Sequence, residues 1–404
     1  MTSPVLTVRT ITPEQHLEFL RAQRSASFLQ TPAWGRVKSE WRRESIGWFR
    51  DSRSAPSSTQ GFRDGGELVG VGLVLYRQLP RLRRYLAYLP EGPVIDWDSD
   101  ALSDWLAPMT KHLRDAGAFG VRMGPPVVTR RWDAASVKQG VADETVRTLG
   151  QVPPADRSAA GARVVSQLQE MGWRLQGAEG GFAAGQPRYN FQIPLRHRSD
   201  ASTDVGESFA ARDPRSEDDV LKGMNQQWRR NIKKAAKAGV EVTEGAEEEL
   251  KAFHDLYVHT AARDGFTPRP LSYFETMFSA LRAEEPDRIK LFLARHEGDL
   301  VAATIWVRVG GHTWYSYGAS STEKRDVRGS NAAQWAMISA SLAAGADVYD
   351  LRGITDTLDA DDSHVGLVQF KVGTGGEAVE YAGEWDLPLS PLLYKAFAMY
   401  MARR

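Results

Sequence analysis

Apolar and polar residues follow two different rhythms along this chain. In some segments they alternate, which places one face of a strand in a core, and in others apolar residues recur every three to four positions, as on one face of a helix. In the first half, these rhythms predict helices at 13–24, 32–41, 101–116 and 162–171, and strands at 45–50, 68–79, 85–89 and 120–123. Such a mixture is typical of an α/β domain.

The second half gives a more regular order of elements. After a strand at 188–195, the pattern predicts helices at 220–238, 250–263 and 271–282, strands at 289–295, 300–309 and 312–317, a helix at 331–344 and a strand at 348–351. Three hairpin-connected strands followed by a helix and a further strand are the element order of an N-acyltransferase fold of the GNAT type. The first half has a looser version of this order, so the sequence predicts two tandem GNAT-like units.

A change in composition divides the chain near residue 187. Residues 196–219 contain almost no large apolar side chains and are rich in Ser, Asp and Arg, which is typical of a disordered insertion. We therefore predict a first domain at 1–187 and a second that begins at 188, with the insertion near their junction. A helix predicted at 389–404 is largely apolar, and packing on the first domain is favoured over contact with a membrane surface.

Composition excludes several classes of chemistry. The chain has 404 residues and no cysteine, so it contains no disulfide, thiol nucleophile or thiolate metal site. Its 8 histidines are scattered and it has no GxSxG, HExxH or P-loop motif, so neither a metal nor a cofactor is expected. Lys and Arg total 51, as do Asp and Glu, and this balance argues against DNA binding. With apolar runs of only about eight residues and no apolar signal core at its start, the protein is expected in the cytoplasm.

Two local features suit the binding of phosphate groups. The stretch RDVRGSNAA at 325–333 places basic and small residues before a helix, where backbone N–H groups bind anions; a tight turn with a capping Ser or Asn is an equal alternative. On the helix at 228–240, Arg229, Lys233 and Lys237 are four residues apart and share one face. That face suits tRNA phosphates, and a merely solvated face is an equal alternative.

A single lysine precedes a glycine-rich turn near the end of the chain. Lys371 lies at the end of a predicted strand in the stretch QFKVGTGG at 369–376. A lysine held there could face a carbonyl oxygen or a phosphate, although an ordinary surface lysine is the commoner case.

Several phrases of the sequence, taken in order, resemble the FemABX family. They are FLQTPAWGRVK (28–38), YLPEGPV (88–94), PPV (125–127), NIKKA (231–235), KAGV (237–240), RDGF (263–266), RP (269–270), YF (273–274), RGSN (328–331), YDLRG (349–353) and FKVG (370–373). Each phrase alone is weak, but the ordered set is specific and covers most of the chain. The resemblance implies two GNAT-like domains, with the C-terminal segment 366–404 returning to the first and 188–365 forming the second. The short stretch 240–250 implies a member without a coiled-coil arm.

The resemblance also implies roles for individual residues. Lys38 and Arg269 fall where the family grips the diphosphate of its precursor, and Lys371 falls where a lysine stabilises the tetrahedral intermediate or the tRNA end. Three aromatic residues are assigned with them to substrate binding: Trp34, Tyr273 and Tyr315. One position departs from the family, because Gly124 stands where many members have an Asp, so a general base is absent there.

By this resemblance, the protein is an aminoacyltransferase of peptidoglycan synthesis. It would move an amino acid, with glycine as a candidate, from aminoacyl-tRNA to the side-chain amine of residue three of the precursor stem. Its acceptor would be UDP-MurNAc-pentapeptide or lipid II, and it would act as a monomer in the cytoplasm or at the inner membrane face. Two alternatives stay open: an acetyl-CoA-dependent GNAT enzyme, and a non-catalytic homologue that binds the precursor or tRNA.

Overall fold

A computed structural model describes residues 6–50, 66–177, 185–197, 213–359, 361–362 and 364–401. The chain divides into two compact units. Unit 1 comprises Met1–Thr129, Ser158–Arg188 and Tyr381–Arg404, and unit 2 comprises Arg130–Arg157 and Tyr189–Glu380.

Both units contain strands and helices. The strands are β1 (Leu6–Thr10), β2 (Arg42–Arg50), β3 (Glu67–Gln78), β4 (Tyr85–Leu89), β5 (Ala118–Met123), β6 (Val128–Asp133), β7 (Asp156–Arg157), β8 (Arg174–Leu175), β9 (Tyr189–Pro194), β10 (Glu241–Gly245), β11 (Ile289–His296), β12 (Asp299–Val309), β13 (His312–Ser320), β14 (Val348–Ile354), β15 (Glu377–Tyr381) and β16 (Trp385–Pro388). The helices are α1 (Pro13–Ala22), α2 (Pro32–Val37), α3 (Leu102–Asp115), α4 (Ala134–Ala142), α5 (Ala159–Glu170), α6 (Glu217–Gly223), α7 (Gln226–Lys237), α8 (Leu250–Asp264), α9 (Leu271–Glu284), α10 (Gly329–Ala343), α11 (Val365–Val372) and α12 (Pro391–Met401).

Unit 1 is built on a seven-stranded sheet in the order β1-β2-β3-β4-β5-β16-β8. Helix α3 buries Trp105, Met109 and Leu113 in a core that also contains Trp48 and Trp385. The indole N–H of Trp48 donates to the carbonyl of Trp105 at 2.7 Å, so this large side chain is buried with its polar atom satisfied.

Unit 2 is built on a nine-stranded sheet in the order β10-β11-β12-β13-β14-β9-β15-β6-β7. Helix α10 packs Met337 and Ile338 into a core with Phe191, Trp306 and Tyr349. The indole N–H of Trp306 donates to the hydroxyl of Ser341 on that helix at 2.9 Å, which fixes the helix on the sheet.

The two units share one arrangement of elements. In unit 1, α3 connects the antiparallel strands β1 to β4 with β5, which pairs parallel with β4. In unit 2, α10 connects the antiparallel strands β10 to β13 with β14, which pairs parallel with β13. This arrangement confirms the predicted α/β class with two GNAT-like units. Between α7 and α8 the described chain contains only β10 and a single 3₁₀ turn, so no coiled-coil arm is present there.

Two predicted elements were wrong in detail. The single helix predicted at 220–238 is divided into α6 and α7, because Asn225 caps a new helix by accepting the N–H of Trp228 at 2.8 Å. The strand predicted before Lys371 is wrong, since this residue lies in the last turn of helix α11.

The domain limits also differ from those predicted. Residues 130–157 belong to unit 2, and the chain returns to unit 1 at Tyr381 rather than at 366. Most of the predicted insertion 196–219 lies outside the described residues, but its ends are structured: Arg196 forms a β-bridge with Pro214, and Ser216 caps α6.

The C-terminal helix α12 packs on unit 1. Phe397 is buried beside Phe119, with ring centroids 5.4 Å apart, while Leu392 and Met399 are exposed. Packing on the first domain is therefore observed. Across the part of the chain that the structure describes, no helix has the length and apolar character needed to cross a membrane.

Candidate active site

A cavity of about 490 Å³ opens in unit 2 at the start of helix α10. Four parts of unit 2 form its wall: α7 with its cap, the end of β13, the turn that leads into α10, and α11. The lining residues include Asn225, Gln227, Trp228, Asn231, Ser320, Ser321, Glu323, Lys324, Arg325, Arg328, Gly329, Ser330, Asn331, Gln369 and Phe370. The cavity thus gathers the RGSN phrase, the start of the basic helix and the residue before Lys371 in one place.

The turn before α10 exposes backbone donors to this cavity. Lys324 and Arg328 have left-handed backbone angles, with φ of 49° and 62°. Within the described chain, the N–H groups of Gly329 and Ser330 have no acceptor, whereas the next two N–H groups bond to the carbonyl of Arg328. Unpaired N–H groups at the start of a long helix attract anions.

Side chains around this turn reinforce its positive character. Arg325 and Arg328 line the cavity and are exposed, and neither forms an ion pair within the described chain. Lys324 instead pairs with Glu297 at 2.9 Å and with Asp299 at 2.8 Å. Asn331 contributes a polar side chain that is only 6% exposed. A phosphate or diphosphate group matches these donors in charge and hydrogen bonding.

The basic helix α7 is anchored beside the cavity by Trp228. The indole N–H donates to the carbonyl of Phe370 at 2.9 Å, and the two rings lie 4.8 Å apart. Lys233 and Lys237 are exposed, whereas Arg229 is half-buried and donates to the carbonyl of Lys222 at 3.2 Å. The three predicted tRNA-binding residues therefore share the helix, and the two lysines present their charge to solvent.

Lys371 is buried, with 4% of its surface exposed. Its Nζ donates to the carbonyl of Gly353 at 2.6 Å and to that of Arg352 at 3.2 Å. Burial lowers the pKa of Lys371 to about 7; the charge of Asp350 acts in the opposite direction, and that of Arg352 lowers the pKa further. An ammonium has three N–H donors, so one remains without an acceptor among the described residues.

The glycine-rich turn after Lys371 is explained by close packing. Gly375 has a φ of +74°, and a Cβ there would lie 1.9 Å from the carbonyl oxygen of Gly223. At Gly373, a Cβ would lie 2.3 Å from the Trp228 ring. These glycines let α11 approach α6 and α7, and so fix the position of Lys371.

Arg269 and Tyr273 lie together at the start of helix α9. The guanidinium of Arg269 is 5.4 Å from the centre of the Tyr273 ring, and the Tyr273 hydroxyl accepts from that of Tyr317 at 3.2 Å. Tyr315 lies on the same strand, β13, as Tyr317. Burial, followed by the charge of Asp264, raises the pKa of Tyr315 to about 12, so its phenol stays protonated.

Trp34 and Lys38 belong to unit 1. Lys38 directly follows helix α2, and its Nζ lies 5.1 Å from the centre of the Trp34 ring. Trp34 is buried and meets the ring of Phe28 edge-on at 5.3 Å. Arg269, Tyr273, Tyr315 and Lys371 belong to unit 2. The assigned roles of these residues stay predictions.

A carboxyl group that sequence reasoning missed lies beside Gly124. A Cβ at Gly124 would be 3.5 Å from Cγ of Glu384, and Glu384 accepts the hydroxyl of Tyr88 at 2.5 Å. Burial raises the pKa of Glu384. No motif marks this residue, because it reaches Gly124 only through the pairing of β16 with β5.

Within the described ranges, no three His, Asp or Glu side chains come close enough together to hold an ion.

The two GNAT-like units define a fold of the acyltransferase type, and unit 2 adds a cationic cavity. Comparisons with known proteins place the chain within one family. A sequence model of the FemAB family matches residues 11–297 and 283–401, so the chain belongs to the FemAB family. This membership confirms the resemblance that the ordered phrases indicated.

Individual relatives agree with this assignment. The lipid II:glycine glycyltransferase of Staphylococcus epidermidis is 22% identical over 446 residues, covering 95% of this chain and 93% of the relative. The protein of the same name from Staphylococcus aureus is 23% identical over 454 residues, again covering 95% and 93%. The crystal structure of FemX superposes with a TM-score of 0.74 at 22% identity, covering 96% of this chain and 99% of that one, and so shares the fold.

Proposed function

We propose that this protein transfers an amino acid from aminoacyl-tRNA to the side-chain amine of residue three of a peptidoglycan precursor stem. Glycine is the first donor to test, because the curated relatives are named lipid II:glycine glycyltransferases. The same names make lipid II the first acceptor to test, with the UDP-linked precursor as the second. Charged tRNA is a cytoplasmic substrate, so the proposed site of action is the cytoplasm or the inner membrane face.

The observation that carries the proposal is the cationic cavity at the start of α10, whose wall includes Phe370, the residue before Lys371. It combines the N–H groups of Gly329 and Ser330 with the guanidinium groups of Arg325 and Arg328. The 3′ end of a tRNA brings phosphates to its aminoacyl ester, and these donors are suited to phosphates. The exposed lysines of α7, Lys233 and Lys237, add positive charge on the outer face of this helix, where further tRNA phosphates would bind.

The acceptor would be held through its diphosphate. Lys38 and Arg269 are each placed beside an aromatic ring, Trp34 and Tyr273 respectively, which keeps the long cationic side chains ordered. A lysine or an arginine side chain suits a phosphate group in charge and hydrogen bonding. Holding this group would bring the stem peptide to the ester with a fixed orientation.

The reaction needs little further activation. The neutral amine attacks the ester carbonyl carbon, an amide bond forms, the bond to the ribose oxygen breaks, and the amine proton passes to the ribose. A free alkyl amine has a pKa of about 10, and desolvation in a closed site lowers it. Correct alignment of two reactants contributes up to about 7–11 kcal/mol in favourable systems.

Lys371 would stabilise the charge that develops on the carbonyl oxygen. Two of its N–H groups are held by the carbonyls of Arg352 and Gly353, which leaves the third as an oriented donor. A single donor of this kind contributes about 3–4 kcal/mol to the transition state.

A transfer assay with a pool of tRNAs carrying labelled amino acids tests the proposal. Purified protein is incubated with this pool and with lipid II or UDP-MurNAc-pentapeptide, and label in the precursor is measured. We expect one amino acid, with glycine favoured, to appear in one of the acceptors. Binding of both substrates with no transfer would favour a non-catalytic homologue instead.

One observation favours a second candidate function. The unpaired N–H groups of Gly329 and Ser330 also suit the diphosphate of coenzyme A, so an acetyl-CoA-dependent N-acetyltransferase is the alternative. A parallel assay with labelled acetyl-CoA and no tRNA distinguishes the two. Acetylation of the precursor under these conditions, with no aminoacyl transfer, would establish the alternative.

A further inference from the structure

Strand β14 is irregular close to Lys371. In its pairing with β9, Asp350 lies opposite Gln192, whereas Gly353 lies opposite Asn190. Two residues of β14, Leu351 and Arg352, therefore face a single residue of β9, which is a β-bulge. Arg352 has a φ of +63°, a left-handed conformation that is unfavourable for any residue other than glycine.

This bulge forms the site that holds the amine of Lys371. Successive peptide groups of a regular strand point in alternating directions, so two consecutive carbonyls do not normally meet one donor. Here the carbonyls of Arg352 and Gly353 lie 3.2 and 2.6 Å from Nζ of Lys371. The left-handed turn at Arg352 directs both of them to the amine.

Asp350 holds the unfavourable turn in place. One of its carboxylate oxygens accepts the backbone N–H of Arg352 at 2.6 Å. The other accepts from the amide of Gln192 at 3.0 Å and lies 3.3 Å from Nε2 of His312. Asp350 is 2% exposed, so this carboxylate connects the bulge to both neighbouring strands, β9 and β13, away from solvent.

We infer that Asp350 is a positioning residue for Lys371: its carboxylate fixes the bulge at Leu351 and Arg352, and the bulge presents the two carbonyls that hold the lysine amine. The catalytic consequence rests on the proposed function, because Lys371 acts there as the donor to the oxyanion. The geometric part does not depend on that function and is measured separately. The charge of Asp350 also helps to hold Lys371 in its ammonium form, because it raises the pKa that burial lowers.

A labelling experiment measures how firmly Lys371 is held. The full chain is treated with an amine-reactive succinimidyl ester, and labelling of each lysine is followed by peptide mass spectrometry. Lys371 is expected to react slowly in the wild type, and the exposed Lys395 on α12 serves as the internal reference. We expect Asp350→Ala to accelerate labelling of Lys371 at least ten-fold, with Lys395 unchanged.

A rescue variant separates positioning from general loss of structure. Glycine adopts a positive φ without an anchor, so Asp350→Ala combined with Arg352→Gly should return slow labelling of Lys371. In aminoacyl transfer, Asp350→Ala should lower kcat at least ten-fold with little change in KM, and the double variant should recover most of it. If Asp350→Ala does not fold, recovery of fold and slow labelling by the double variant supports the inference, and failure of both variants to fold overturns it.

A matched control lies just before the same strand. Asp347 is also a buried carboxylate, but its ion pair is with Arg196. Asp347→Ala should lower thermal stability while labelling of Lys371 stays slow. Unchanged labelling and kcat in folded Asp350→Ala, or equal acceleration by Asp347→Ala, would overturn the inference. If the wild type shows no transfer at all, the proposed function fails, and labelling still decides the role of Asp350.

Discussion

At the residue scale, the surroundings of Lys371 define what its amine can do. The side chain is 4% exposed and two of its N–H donors are engaged by backbone carbonyls, so neither its position nor its direction varies freely. A donor that is already oriented loses little entropy when charge develops nearby. The proposed role of Lys371 therefore requires the intact amine in this exact environment, and substitutions should affect the rate more than binding.

Replacing the amine tests this role. Lys371→Met keeps an unbranched apolar stem but removes the donor, and we expect kcat to fall by about 10²–10³ while KM for the precursor changes little. Kinetics with both substrates varied provide the measurement. Lys251→Met is the control, because Lys251 is exposed on α8 and pairs with Asp255, and it should retain normal kcat. Normal turnover by Lys371→Met would remove the catalytic role.

The pH dependence of the rate offers a second test of Lys371. Burial lowers its pKa to about 7, so the ammonium predominates below that pH and is lost as pH rises through it. The single-turnover rate should therefore decline above pH 7 where proton transfer from the acceptor is not limiting. In Lys371→Arg the guanidinium stays charged, and the decline should disappear if the variant turns over. A decline that persists unchanged in Lys371→Arg would assign it to another group.

The diphosphate assignment is tested at Lys38 and Arg269. Each forms charge-assisted hydrogen bonds in the proposed complex, which contribute about 1.5–3 kcal/mol apiece. Lys38→Ala and Arg269→Ala should each raise KM for the precursor by about ten- to a hundred-fold. An acceptor analogue without the diphosphate should show no such difference between wild type and variants. An unchanged KM in both variants would contradict the assignment.

Sequence reasoning assigned roles to charged residues but not to the residues that hold these side chains in position. Lys371, Arg269 and Lys38 stand in phrases shared with a family, so their types and order marked them. Asp350 stands in such a phrase too, yet its partners Gln192 and His312 come from distant parts of the chain. Hydrogen bonds across strands depend on register, which composition and spacing do not reveal.

At the element scale, helix α7 shows how a polar cap divides a continuous pattern. The periodicity across 220–238 predicts one helix, but Asn225 accepts the N–H of Trp228 and starts a new one. This break directs Trp228 toward Phe370 and leaves the lysines of α7 on the outer face. The position of Trp228 in the wall of the cavity therefore depends on a local cap.

Neutralising this helix tests its contact with tRNA. In the variant that combines Arg229→Gln, Lys233→Gln and Lys237→Gln, fewer phosphates are neutralised, so KM for aminoacyl-tRNA should rise. The slope of log affinity against log salt should become shallower by about two, at about 0.7 per lost contact for single-stranded nucleic acid. Affinity for tRNA at several salt concentrations provides the measurement.

A charge-matched control separates this contact from net charge. Lys111, Lys138 and Lys251 are exposed lysines on other helices, α3, α4 and α8. Changing all three to Gln alters the net charge of the chain equally and should leave the salt slope at its wild-type value. If both triple variants give the same slope as wild type, α7 is only a solvated helix.

The strand predicted before Lys371 shows why one short element was assigned wrongly. The stretch VGLVQFKV is rich in valine, which favours strands. Its buried residues Val368, Lys371 and Val372, however, are three and four positions apart, as on one face of a helix. In a segment this short the two signals are ambiguous, and tertiary packing against β14 and α4 decides between them.

At the scale of the whole molecule, the chain crosses between its units more often than its composition indicates. Residues 130–157 belong to unit 2, where Arg130 pairs with Glu380 at 2.5 Å and Arg131 with Glu377 at 2.6 Å. These ion pairs join segments that are far apart in sequence, and the carboxylates are largely buried. Local sequence patterns predicted the two GNAT-like units. The residues at which each unit begins and ends depend on long-range pairing of this kind, which local patterns do not show.

The central claim is that this protein joins an amino acid from tRNA to the side-chain amine of residue three of a peptidoglycan precursor. Its most direct test is tandem mass spectrometry of lipid II after incubation with the protein and glycyl-tRNA. We predict one or more glycine residues attached to that amine, formed by the wild type and strongly reduced in Lys371→Met. Lipid II that stays unmodified by the wild type, or that carries the new residue on a different group, would contradict the account.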